Sequence, residues 1–160
     1  MEKTKSITSY FEADHDRLDL IFSQFQKVKQ RSMGEAKPFF KAFNNGLKRH
    51  IVWEEDILFP QFERKSGMTA SGPTFVMREE HRLIGAVLER LHDKVRKANP
   101  SSEQEESELL QILSAHNSKE ERVLYPAIDE LSSEQEVSEM FLAMENIPVE
   151  RYQTCCGGHH

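Results

Sequence analysis

Four histidines recur in this chain at one repeated spacing: His15 to His50 is 35 residues, and His81 to His116 is again 35. Sliding the first half along by 66 residues lays His15 on His81 and His50 on His116. The neighbourhoods agree as well. Asp14-His15 falls on Glu80-His81, while Leu18, Ile21, Phe22 and Phe25 fall on Ile84, Val87, Leu88 and Leu91. The run from His50 to Pro60 matches His116 to Pro126 in the form H-x-x-x-E-E-x-[IV]-L-[FY]-P. Two copies are too few for a solenoid. They predict two related helical hairpins with pseudo-twofold symmetry.

The pattern between these landmarks is helical. Ser9 with Glu12 has capping-box spacing and opens a helix to about Arg31, with an apolar stripe of Phe11, Leu18, Phe22 and Phe25. After a break at Gly34, Pro38 stands near the start of a second helix carrying Phe39, Phe43, Leu47, Ile51, Ile57 and Leu58. Residues 66–73 read as loop. A third helix carries Met77, Ile84, Leu88 and Leu91 to about Asn99-Pro100. Ser102 with Glu105 starts a fourth, apolar at Leu109, Ile112, Leu113, Val123 and Leu124, and Ser133 with Glu136 starts a short fifth. With 160 residues, 7 Gly, 6 Pro and 1 Trp, the composition favours helix over sheet and one domain over two. The expected fold is all-α: an up-down-up-down four-helix bundle over residues 1–148 (core 9–131, fifth helix 133–147), followed by a tail, 149–160.

Helix geometry turns these residues into a site. Positions four apart differ by only about 40° around the axis and about 6 Å along it. His50 and Glu54 therefore share a face, as do His116 and Glu120. Those faces are the apolar ones: Phe43, Leu47 and Ile57 lie within about 60° of His50, and Leu109, Leu113 and Val123 within the same arc of His116. His15 sits in the stripe of Phe11 and Phe22, and His81 in that of Met77 and Leu88. Each long helix thus aims one imidazole inward, and two of them add a carboxylate. Burying two ionised glutamates costs several kcal/mol each unless a cation meets them. No Lys or Arg lies on those stripes, whereas a pair of metal ions would satisfy both.

Other candidates weigh less. Glu55 and Glu121 stand about 140° from their histidines and are expected to be solvated, or at most to support a ligand from behind. Asp19 shares the face of His15, but its repeat partner is Gly85, so a hydrogen-bonded polar residue is preferred to an extra ligand. His92 lies about 16 Å along the axis from His81 and is expected at the bundle end or surface. Trp53 is matched by Lys119 and is read as packing.

The repeated motif resembles the hemerythrin-like family, the HHE cation-binding domains, over residues 9–131. The resemblance implies a non-haem di-iron centre in a four-helix bundle, with His15, His50, Glu54, His81, His116 and Glu120 as ligands. The glutamates would bridge two iron ions, and an oxo or hydroxo group would complete the bridge. The oxygen carriers of the family use five histidines, with an H-x-x-x-H pair on the third helix. Here the positions four from His81 are Met77 and Gly85. The set of four His and two Glu is similar to the family's iron–sulfur-repair and redox-sensing branch. By that count both irons would keep an open position, with Gly85 leaving space beside His81 for oxygen, nitric oxide or peroxide to react.

The function expected is a di-iron protein that binds or reacts with such a ligand in redox or iron sensing or stress response. Cluster repair, peroxide or nitric-oxide consumption, reversible oxygen binding, and a bundle holding zinc or nothing are the competing readings. The net charge of −6 argues against nucleic acid. No apolar run exceeds the six residues Leu83 to Leu88, against the roughly 20 of a membrane span. The start Met1-Glu2-Lys3-Thr4-Lys5 has no apolar leader core, so a cytoplasmic location is expected. Cys155, Cys156, His159 and His160 near the end form a group able to bind a soft metal, although a loose tail is the preferred reading. The short fifth helix would close one end of the bundle or make a dimer contact with a second copy or a protein partner.

Overall fold

The computed structural model describes residues 5–69 and 71–153. The helices are α1 (Ile7–Lys29), α2 (Met33–Trp53), α3 (Phe59–Ser66), α4 (Pro73–Arg96), α5 (Glu103–Lys119), α6 (Tyr125–Leu131), α7 (Glu134–Glu145) and α8 (Glu150–Gln153). A π turn, Glu54–Leu58, joins α2 to α3, and another, Glu120–Leu124, joins α5 to α6. Two long composite helices result, and with α1 and α4 they make an all-α bundle. Its hairpins are α1 on α2 and α4 on α5.

The ends of the helices explain their placement. Ser6, rather than Ser9, caps α1 through the Ser9 amide. The chain turns at Arg31 and Ser32, where Ser32 caps α2, so Gly34 lies inside that helix instead of breaking it. Ser102 opens α5 without capping it, and its hydroxyl instead donates to Glu106 at 2.5 Å. The expected capping box of Ser133 and Glu136 is present. Asp129 accepts from the Ile7 and Thr8 amides at 2.9 Å each, which ties the end of α6 to the exposed donors at the start of α1.

Both π turns precede a proline, Pro60 or Pro126. A proline ring collides with the carbonyl one turn earlier, and the wider turn relieves that clash. The amides of Phe59 and Tyr125 reach back five residues, to the carbonyls of Glu54 and Glu120. The extra residue per turn shifts the register of everything after it. Regular periodicity puts Ile57 and Val123 beneath the histidines. In the structure Leu58 and Leu124 take the buried face, Ile57 is only partly buried, and Val123 is 57% exposed.

The core consists of two apolar clusters. One gathers Leu18, Phe22, Phe25, Phe40, Phe43, Leu47, Ile84, Leu88 and Leu109. The other gathers Phe11, Trp53, Leu58, Phe59, Met77, Leu124, Tyr125 and Ile128. Val137, Met140 and Met144 of α7 belong to the second cluster, so the fifth helix closes that end of the bundle. Trp53 packs there as expected, with rings of Tyr10 and Phe11 at 6.0 Å. His92 is half-buried, with its ring 5.4 Å from that of Phe40, a member of the other cluster. The helix α8 falls in the stretch read as tail and lies against α2. Cys155, Cys156, His159 and His160 lie outside the described residues. Among the described residues no helix is long and apolar enough to cross a membrane.

Candidate metal centre

A polar layer separates the two clusters. His15, His50, Glu54, His81, His116 and Glu120 are all buried, none more than 6% exposed. Their donor atoms converge in two groups: His15, His50, Glu54 and Glu120 in one, and Glu54, His81, His116 and Glu120 in the other. Within each group the donor atoms lie within 4.8 Å of one another. Both glutamates belong to both groups, one carboxylate oxygen toward each side. Glu54 Oε2 is 3.2 Å from His50 Nε2, and Oε1 is 3.0 Å from His81 Nε2. Glu120 Oε1 is 3.3 Å from His15 Nε2, and Oε2 is 3.0 Å from His116 Nε2.

Every one of the four imidazoles is held from behind. Nδ1 of His50 donates to Asp14 at 2.8 Å, and Nδ1 of His116 donates to Glu80 at 2.7 Å. Nδ1 of His15 donates to Glu121 at 2.7 Å, and Nδ1 of His81 donates to Glu55 at 2.7 Å. These bonds fix the tautomer that leaves Nε2 free toward the centre, and they make the imidazoles stronger donors. The pairs obey the 66-residue symmetry: Asp14 corresponds to Glu80, and Glu55 to Glu121. Glu55 and Glu121 are therefore only about one-third exposed. Standing 140° round from a ligand does not place a side chain in water here. In a bundle that flank meets the neighbouring helix, and the carboxylate finds the histidine of that neighbour.

Electrostatics follow from burial among carboxylates. Burial pushes the His50 imidazolium down, but the adjacent Glu54 and the hydrogen bond to Asp14 outweigh it and raise it to about 10. His81 is opposed by burial in the same way and raised to about 9 by the carboxylates of Glu54 and Glu55 beside it. Glu54 is penalised by burial, yet His50 and His81 hold it well below the usual carboxylate range. Protons stand where cations would supply the same charge. Even so, Glu54 Oε1, His81 Nε2 and Glu120 Oε2 are buried without an aligned hydrogen bond, although the first two are only 3.0 Å apart. Polar atoms are costly to leave in that state. Imidazole and carboxylate donors suit iron, zinc or manganese, so the residues present fit a pair of such ions.

Sequence reasoning missed Tyr125. Its hydroxyl donates to Glu54 and lies 2.8 Å from Glu120 Oε1, 3.2 Å from His50 Nε2 and 3.3 Å from His15 Nε2. The one signal was its place in the motif, where the first copy has Phe59. Asp14 and Glu80 were visible as matched acids in the alignment of the halves, but their partners lie on the next helix. Asp19 is exposed and joins neither donor group. It lines a cleft of about 620 Å³ with Asp16, Glu121 and the outer side of His15. Gly85 faces open space on the surface rather than the centre.

The family model for the hemerythrin HHE cation-binding domain matches residues 6–137. The iron-sulfur cluster repair protein YtfE of Yersinia pseudotuberculosis (serotype IB, strain PB1/+) is 33% identical over 102 residues, which is 59% of this chain and 45% of that one. Its counterpart in Yersinia pestis (strain Pestoides F) is 32% identical over the same coverage. In Yersinia pseudotuberculosis serotype O:3 (strain YPIII) the match is 41% over 54 residues, 34% of this chain and 24% of the relative. The chain spans less than half the length of these curated relatives. No solved structure matches it. A repeated HHE-type motif, a helical bundle and a model match across most of the length agree: the chain belongs to the hemerythrin HHE cation-binding domain family.

Proposed function

We propose that this protein holds two non-haem iron ions through His15, His50, Glu54, His81, His116 and Glu120, and that the centre binds or reacts with a small ligand such as oxygen, nitric oxide or peroxide. The observation that carries this is the sharing of Glu54 and Glu120 between two converged donor groups. Two imidazoles on each side of two common carboxylates is an arrangement for a pair of ions rather than one. When bound, the irons would supply the redox chemistry and the affinity for small ligands. The chain's own part is to orient the imidazoles through four carboxylate bonds, to present two shared carboxylates inside an apolar bundle, and to exclude bulk water by packing on both sides. Redox or iron sensing and stress response are the roles such a centre fits.

Metal analysis with an optical spectrum of freshly purified protein tests this reading. Two irons per chain are expected. A single tightly bound metal in iron-replete protein, or a colourless chain whose melting is indifferent to chelator, would overturn it.

Cluster repair is the second reading, favoured by the similarity to the YtfE repair proteins over their matched portion. Recovery of a damaged iron–sulfur enzyme on addition of the iron-loaded protein would support it. Steady consumption of peroxide or nitric oxide without such recovery would favour the first.

A further inference from the structure

The two halves of the centre match in their histidines, their glutamates and the acids behind them, but differ in one buried aromatic residue. Phe59 and Tyr125 occupy the same place in the motif, 66 residues apart, each fully buried at the first position after its π turn. Phe59 lies flat against His81, ring centres 5.6 Å apart and planes 15° apart, and offers no donor atom. Tyr125 instead places a hydroxyl among the donors of the opposite half. It bonds Glu54 and stands 2.8 Å from Glu120 Oε1, 3.2 Å from His50 Nε2 and 3.3 Å from His15 Nε2.

Those distances have a meaning in coordination geometry. With metal–ligand bonds of about 2.1 Å, two donors at right angles on one ion are about 3 Å apart. The Tyr125 oxygen stands at about that separation from the His15, His50 and Glu120 donors of its group. An oxygen so placed would fit a vertex of the shell around an ion held at the His15–His50 position, rather than a place behind it. The polar atoms of the centre without an aligned hydrogen bond lie on the other side. Glu54 Oε1 and Glu120 Oε2 are the oxygens that face His81 and His116, and His81 Nε2 shares their state.

We propose that Tyr125 makes the two metal positions unequal: its hydroxyl caps the His15–His50 position, and an exogenous small ligand binds at the His81–His116 position, beneath the apolar roof of Phe59. The proposal rests on the di-iron reading above and deepens it by assigning where the ligand goes. It also replaces the expectation, from counting histidines and glutamates alone, that both metals stay open. Coordinating anions and diatomic molecules that fit beside an aromatic ring are the class of ligand it describes.

Azide is the probe. Iron content is measured first, and oxidised protein with two irons per chain is then titrated with azide while the azide-to-iron charge-transfer band is followed. One azide per two irons is expected. Tyr125→Phe, which copies the first repeat, should keep its iron and take two. Phe59→Tyr should bind none, or bind at least 10-fold more weakly, and it tests the idea independently should the first variant fold poorly. Two azides in the wild type, one in iron-replete Tyr125→Phe, or unchanged binding in Phe59→Tyr would overturn the assignment while leaving the di-iron reading intact. A chain that never holds two irons fails the underlying reading before azide is added.

Discussion

Glu55 and His81 meet across two helices, with Nδ1 of the imidazole donating to the carboxylate at 2.7 Å. The bond joins the first hairpin to the second behind the candidate ligand, and Glu121 repeats it on His15. Metal sites commonly lose 10- to 100-fold in affinity when such supporting groups are removed. Glu55→Gln and Glu121→Gln should each weaken iron binding by about that range while the bundle stays folded, as a competition titration with a chelator would measure. Affinity equal to wild type would mean that the imidazoles are oriented by packing alone.

Removing a shared ligand should be more severe. Glu54→Ala takes one oxygen from each donor group, so loss of both metals is expected by elemental analysis. Because the ligands are buried, metal affinity is coupled to folding, and chelator treatment of the wild type should lower its melting temperature reversibly. The melting temperature of Glu54→Ala should be insensitive to chelator.

The π turns give a sharp test of register. Leu124→Ala empties a fully packed position and should cost about 2–5 kcal/mol. Val123→Ala alters an exposed side chain and should cost less than about 0.5 kcal/mol. Denaturant unfolding of the two variants decides the matter, and a larger loss at Val123 would restore the uninterrupted α-helix that periodicity predicts.

Away from the centre, Lys29 is 7% exposed and reaches Glu106 at 2.6 Å and Glu103 at 3.2 Å, with the Pro100 carbonyl at 3.1 Å. Burial pulls the ammonium down, but Glu106 and Glu103 more than compensate and hold it above its ordinary 10.5. A base raised on folding stabilises the native state fully below its unfolded value, and loses that contribution as pH climbs through the folded one. Stability should therefore fall above about pH 10.5. Lys29→Met leaves the buried Glu106 without its counter-charge, held only by the Ser102 and Gln26 donors, and should cost about 3 kcal/mol near neutrality. Urea midpoints at pH 8 and pH 11 check both, since the variant should lack this part of the alkaline loss.

Much of this was legible in the chain. Histidine spacing gave the duplication, and the 3.6-residue period put His15, His50, His81 and His116 with Glu54 and Glu120 on buried faces. What periodicity cannot express is lateral distance. Asp14, Glu80, Glu55 and Glu121 act on histidines of neighbouring helices, and angle around one axis says nothing about the next. Val123 failed for another reason: proline at 126 widens the preceding turn, and a regular period has no term for the extra residue. Tyr125 was hidden by the same shift, which brings the first residue after the turn onto the inner face.

The wiring of the four imidazole bonds bears on the order of events in maturation. His50 and His116 are held by acids of their own hairpin, Asp14 and Glu80, whereas His15 and His81 are held by acids of the opposite one. Each donor group likewise draws a glutamate from both hairpins. A hairpin emerging first from the ribosome therefore carries a half-assembled set, with one imidazole free to swing. Capture of an ion pair by these residues would wait until the halves have docked, closing like a latch on a finished bundle rather than serving as a template on which either half is built.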